Sequence, residues 1–115
     1  MKKHTLQAAI LFLAGLALLS GCKEDDVKPL GAFKNATFIV CEGNFGSNDA
    51  SIYAIVSDTL KKEIFAETNS RPLGDVVQSM AVIGNKAYLV VNNSGKVEVV
   101  DANTFESKGT AKGFS

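Results

Sequence analysis

Apolar residues alternate with a period of two along most of the chain. Residues 37–41, 51–56, 76–83, 87–91 and 96–100 are runs rich in β-branched and aromatic side chains, each bounded by Gly, Asn, Asp or Ser. Such runs with such boundaries predict short strands. A further strand is expected over residues 105–110, and Gly84-Asn85 between two runs predicts a tight hairpin. No helix is predicted. Residues 60–68 alone have helical composition, and they read as a turn and an outer strand. Leu89 and Val91 point to one face of their strand, Tyr88 and Val90 to the other. A strand apolar on both faces needs a layer on each side.

The pattern also repeats. Ala36-Thr37-Phe38-Ile39-Val40 matches Lys86-Ala87-Tyr88-Leu89-Val90 at an offset of 50. Ser51-Ile52-Tyr53-Ala54-Ile55 matches Lys96-Val97-Glu98-Val99-Val100 at 45, and Asp58-Thr59-Leu60 matches Asn103-Thr104-Phe105 at the same offset. The difference falls in one turn, residues 42–50, which is longer than its counterpart, 92–95. Four short strands in a unit of this length are the signature of a propeller blade. Labelled a to d from the axis outward, the second blade holds residues 76–83, 86–91, 96–100 and 105–110. The first supplies b, c and d without an obvious a. The expected fold is therefore all-β, with about two blades of four antiparallel strands. Closure needs at least about four blades. The chain is thus expected to be an N-terminal fragment of a longer propeller, or a truncated product whose open edges invite self-association.

The first 35 residues follow another logic. Met1-Lys2-Lys3-His4 is a positive start, followed by an apolar run from Leu6 to Leu19 that is too short for a comfortable membrane span. Leu19-Ser20-Gly21-Cys22 resembles the lipobox of bacterial lipoproteins. Residues 1–21 thus read as a lipoprotein signal peptide, with Cys22 the lipidated residue. Acyl chains on Cys22 would anchor the protein in the outer membrane. Residues 22–35 read as a solvated tether. Lys23-Glu24-Asp25-Asp26 resembles the lysine-then-acidic signal that sends Bacteroidetes lipoproteins to the cell surface, so a lipid-anchored, surface-exposed protein is expected. The partial propeller occupies residues 36–115.

Composition removes several functions. Cations and anions number 12 each. Without Lys2 and Lys3 the balance is 10 against 12, which excludes a basic nucleic-acid binder. The one histidine, His4, lies in the signal. A mature chain without histidine has no Ser-His-Asp triad and no His-ligated zinc. No catalytic residue, metal ligand or cofactor is predicted, and the protein is read as a non-enzyme. Cys22 and Cys41 have different jobs, so no disulfide is expected. Cys41 reads as a buried, inert strand thiol.

Three segments carry a resemblance: Phe38-Ile39-Val40-Cys41-Glu42-Gly43-Asn44-Phe45-Gly46, Leu73-Gly74-Asp75-Val76-Val77-Gln78-Ser79-Met80 and Ala87-Tyr88-Leu89-Val90-Val91-Asn92-Asn93-Ser94. Together they resemble the start of the YncE-like surface-layer β-propeller lipoproteins of Bacteroidetes. The resemblance implies about seven blades. Some relatives capture cobalamin and pass it to a TonB-dependent outer-membrane transporter, so a ligand-binding propeller module with that ligand and that partner is the implied function. Cys41 departs from the family pattern, where a polar residue precedes Glu-Gly-Asn. The alternatives are an envelope scaffold or protein-interaction propeller without a small ligand, or a truncated non-functional fragment. An enzyme is a further class, because some propellers hydrolyse lactones or oxidise substrates at a central metal or quinone.

Alternating strands put residues 42–50, 68–75 and 92–95 at one end of the blades. These loops are rich in Asn, Ser and Gly, which hydrogen-bond amides and phosphates but also serve plain turn chemistry. The candidate ligand contacts are Asn44, Phe45, Arg71, Gln78, Asn92 and Asn93. Glu42, Asn44, Asn48 and Asp49 are oxygen-bearing, but their spacing does not fit an EF-hand calcium loop. Asp58-Thr59-Leu60 resembles the Bacteroidetes O-glycosylation sequon, which makes Thr59 a candidate for modification.

Overall fold

A computed structural model of the chain describes residues 31–114. The expected signal peptide (residues 1–21), the expected lipidation residue Cys22 and residues 23–30 of the expected tether lie outside the described residues. Seven strands and one short helix follow in order: β1 (Thr37–Cys41), β2 (Ser51–Val56), β3 (Thr59–Lys61), α1 (Ile64–Asn69), β4 (Val77–Ile83), β5 (Lys86–Val91), β6 (Lys96–Asp101) and β7 (Ser107–Lys112). They form two antiparallel sheets, β1-β2-β3 and β4-β5-β6-β7. The fold is all-β, with a three-stranded and a four-stranded propeller-like blade.

The repeat holds at the level of register. Ile39 pairs with Tyr53 and Thr37 with Ile55 in the first sheet. Their counterparts in the second are Leu89 with Glu98 and Ala87 with Val100. The match fails at the outer strand. Thr59 and Leu60 lie in β3, whereas Thr104 and Phe105 lie in the turn before β7. The reason is turn length. Ser57 and Asp58, at φ 47 and 62, make a two-residue turn. Its counterpart is a longer turn held by Asp101, whose Oδ1 accepts the N–H of Asn103 at 2.8 Å and of Thr104 at 3.0 Å. That turn swings Phe105 into the interior, so β7 begins at Ser107 rather than at residue 105.

One face of each sheet packs on the other. Ile52 and Ala54 of the first meet Ala87, Leu89, Val91 and Val100 of the second in a single buried cluster. The opposite faces are open: Ile39 and Ile55 are each 39% exposed and Ile83 is 67% exposed. Cys41 is half-buried on the open face of the first sheet, a free thiol at a more accessible place than the expected buried one.

The helix corrects the sequence reading of residues 60–68 as turn and outer strand. β3 ends at Lys61, Glu63 turns the chain at φ 48, and Ile64 and Phe65 are then both buried. A strand would send these consecutive side chains to opposite faces. One helical turn puts both into the core between the sheets. Asn69 closes it by donating Nδ2–H to Phe65 O at 2.9 Å. The helix is too short to bridge a membrane, and no helix among the described residues is long and apolar enough to do so.

Residues 31–35 belong to the folded body, which thus starts before the expected boundary at residue 36. Phe33 donates its N–H to Asn103 O at 2.9 Å and sets its ring edge-on to Phe105, centroids 5.8 Å apart. Phe38 covers the same ring from β1 at 5.4 Å.

Candidate functional site

The three expected loops meet at one end of the sheets, and a single carboxylate joins them. Asp75 lies in the connection from α1 to β4. Its Oδ2 accepts the Gly46 N–H at 2.8 Å and an Asn93 Nδ2–H at 2.5 Å. Its own N–H donates to Ser94 Oγ at 2.9 Å. Backbone bonds extend the seam: Ala50 N–H to Gly74 O at 3.2 Å, Val77 N–H to Glu42 O at 3.2 Å and Asn92 N–H to Val76 O at 2.9 Å. Gly74, at φ 138, leaves no room for a side chain. A Cβ there would lie 2.8 Å from Ser94 Oγ and 2.9 Å from Val91 Cγ1. Asp75 is 9% exposed, and its Oδ1 has no hydrogen-bond partner among the described residues.

Asn44 is committed within its own loop. Its N–H donates to Asp49 Oδ1 at 2.7 Å and its Nδ2–H to Asp49 Oδ2 at 2.9 Å. The Asn44 backbone N–H, then its side chain, hold the Asp49 carboxyl below the usual carboxylate range. Both Asp49 oxygens are therefore taken, and no cluster of three His, Cys, Asp or Glu side chains with metal-site geometry exists among the described residues. Phe45 stands at the loop tip, 80% exposed. Asn92 is exposed beside Asn93, whose amide is spent on Asp75. Gln78 is exposed at a bulge in β4, between Val77 and Ser79.

Arg71 serves a different centre. Its Nη2 lies 2.6 Å from Oε1 of Glu98, and its guanidinium stacks 4.8 Å over the Phe65 ring. Glu98 is fully buried. It also accepts from Ser107 Oγ at 2.5 Å, Thr110 Oγ1 at 3.1 Å and Lys96 Nζ at 3.3 Å. Burial alone would raise the Glu98 pKa. The Arg71 and Ser107 hydrogen bonds, the Arg71 charge and the Thr110 bond outweigh it, and the carboxyl sits below its ordinary value.

The structure thus gathers Asn44, Phe45, Asn92 and Asn93 around one loop surface. Gln78 lies on β4, next to Val77, and Arg71 lines a neighbouring groove. Thr59, the candidate for modification, is exposed at the start of β3. Sequence reasoning missed Asp75 and Glu98. Glu98 had a signal, because it interrupts an apolar run on the same strand face as Val100. Asp75 had none, because its partners are up to 29 residues away.

No curated protein matches this chain. Residues 35–115 match the family described as a domain of unknown function, DUF5074, and the chain belongs to that family.

Proposed function

We propose that the domain is a ligand-binding part of a surface-exposed lipoprotein propeller of about seven blades. Cys22 anchors it in the outer membrane, and the loop surface around Asp75 takes a small molecule rich in amides and phosphate. A corrinoid such as cobalamin, passed to a TonB-dependent transporter, fits that chemistry. The observation that carries the reading is the exposed Phe45, next in the chain to Gly46, on a loop that Asp75 ties to the loop carrying Asn92 and Asn93. An aromatic face with amide donors is what binds an amphipathic ligand. Thr59 carries a glycan in this reading, and the domain does no chemistry of its own.

Calorimetric titration of cyanocobalamin into the native lipoprotein tests it. Saturable heat is expected, with affinity about tenfold weaker in Phe45→Ala at unchanged melting temperature. Absence of heat sinks the corrinoid assignment.

The open sheet faces favour a second reading, an envelope scaffold. Ile39, Ile55 and Ile83 would then meet protein neighbours. Crosslinks from these faces to another envelope protein, with no ligand heat, would select it.

A further inference from the structure

Beside the loop surface lies a groove of about 660 Å³, lined in part by Asn48, Arg71, Gly74, Ser94, Lys96 and Lys112. Three of its side chains are cations and none is an acid. The carboxylate that Arg71 and Lys96 share, Glu98, is wholly buried and already accepts from Arg71, Lys96, Ser107 and Thr110. Asp75 does not line the groove, and its Oδ2 accepts from Gly46 and Asn93. One negative charge therefore faces three positive ones.

The register sharpens the imbalance. Lys96 and Lys112 are direct cross-strand partners on β6 and β7. Like charges placed opposite each other repel. Lys96 has one short-range partner, Glu98 at 3.3 Å, and its side chain is only 13% exposed. Lys112 has no ion-pair partner among the described residues. Donors remain to spare. An ammonium carries three N–H and a guanidinium five. Glu98 and Ser107 take three from Arg71, and Glu98 takes one from Lys96.

We propose that this groove binds a phosphate group, held by Lys96 and Lys112 with the free edge of Arg71 and the hydroxyl of Ser94. The anion relieves the lysine repulsion and supplies an acceptor for Lys112 and for the N–H groups of Arg71 and Lys96 that Glu98 leaves unpaired. Charge-assisted bonds to phosphate oxygens are the strong kind. The site stands on charge and geometry alone and does not rest on corrinoid capture.

The test uses the full lipoprotein in neutral detergent, with inorganic phosphate as probe and chloride as reference at matched ionic strength. Phosphate is expected to raise the melting temperature and to shift the amide resonances of residues 94–96 and 110–112. Lys112→Glu turns the like-charge pair into an opposite one. This variant is expected to melt higher without phosphate and to bind phosphate about tenfold or more weakly. Lys62→Glu, the same charge change outside the groove, is expected to keep the full response. Dimethyl phosphate should act like inorganic phosphate, since a soluble group suffices. The proposal is overturned if phosphate and chloride act alike, if Lys112→Glu keeps the response, or if only phosphatidylglycerol vesicles bind.

Discussion

Glu98 shows how one side chain holds a blade together. It is buried in the middle of β6 and tied to β7, to Lys96 of its own strand and to the connection carrying Arg71. Removing an acceptor from such a centre leaves its donors short, at about 2 kcal/mol. Glu98→Gln is expected to lose that much by chemical denaturation at neutral pH. The pH dependence follows from the depressed carboxyl. The native state prefers the ionised form, so the stabilisation is complete above the unfolded-state value of about 4.3 and is lost as pH falls through the lower folded value. Glu98→Gln removes that pH-dependent part of stability, and its curve should converge on the wild type in acid. Parallel curves down to low pH would show that Glu98 is not ionised by its partners. Part of this was legible, since a charge between Val97 and Val99 on a buried strand calls for a partner. Its partner Arg71 is 27 residues away and reads from sequence as a ligand contact, because sequence does not show which loop folds over which strand.

At the scale of elements, period-two alternation carries its own evidence, and the strands at residues 37–41, 51–56, 86–91 and 96–101 fall where it points. α1 was invisible for the opposite reason. Six residues give less than two helical turns, too few for a period to register, and the helix exists because Ile64 and Phe65 must both be buried. The β7 boundary moved because Asp101 builds a longer turn. The β2–β3 turn offers a direct check on local chemistry. Ser57 and Asp58 both sit at positive φ, a conformation that favours Asn-Gly. The double change Ser57→Asn, Asp58→Gly is expected to stabilise the protein by about 1 kcal/mol in denaturant melts. Destabilisation would mean that one of the two side chains has a role beyond the turn.

For the whole molecule, the matching registers have a geometric consequence. The open face of the first sheet, with Ile39 and Ile55, is the counterpart of the covered face of the second, with Leu89 and Val100. The open face of the second sheet, with Tyr88, Val90, Val97 and Val99, is the counterpart of the covered face of the first. Each open face thus repeats a surface that is buried one blade away. Stacking of this head-to-tail kind closes into a ring when the rotation allows. The loop surface and the groove lined by Arg71, Lys96 and Lys112 both lie at one end of such a stack. The loops themselves were placed correctly from strand alternation. Their joining through Asp75 was not, because hydrogen bonds between loops leave no periodic trace.

The central claim is that these two sheets work as neighbouring blades of a closed propeller. The most direct test is the native mass of the full-length protein from its source cells. The account predicts a particle holding at least about four blades, in one chain or in several. A stable, monomeric particle with only the two sheets described here would contradict it.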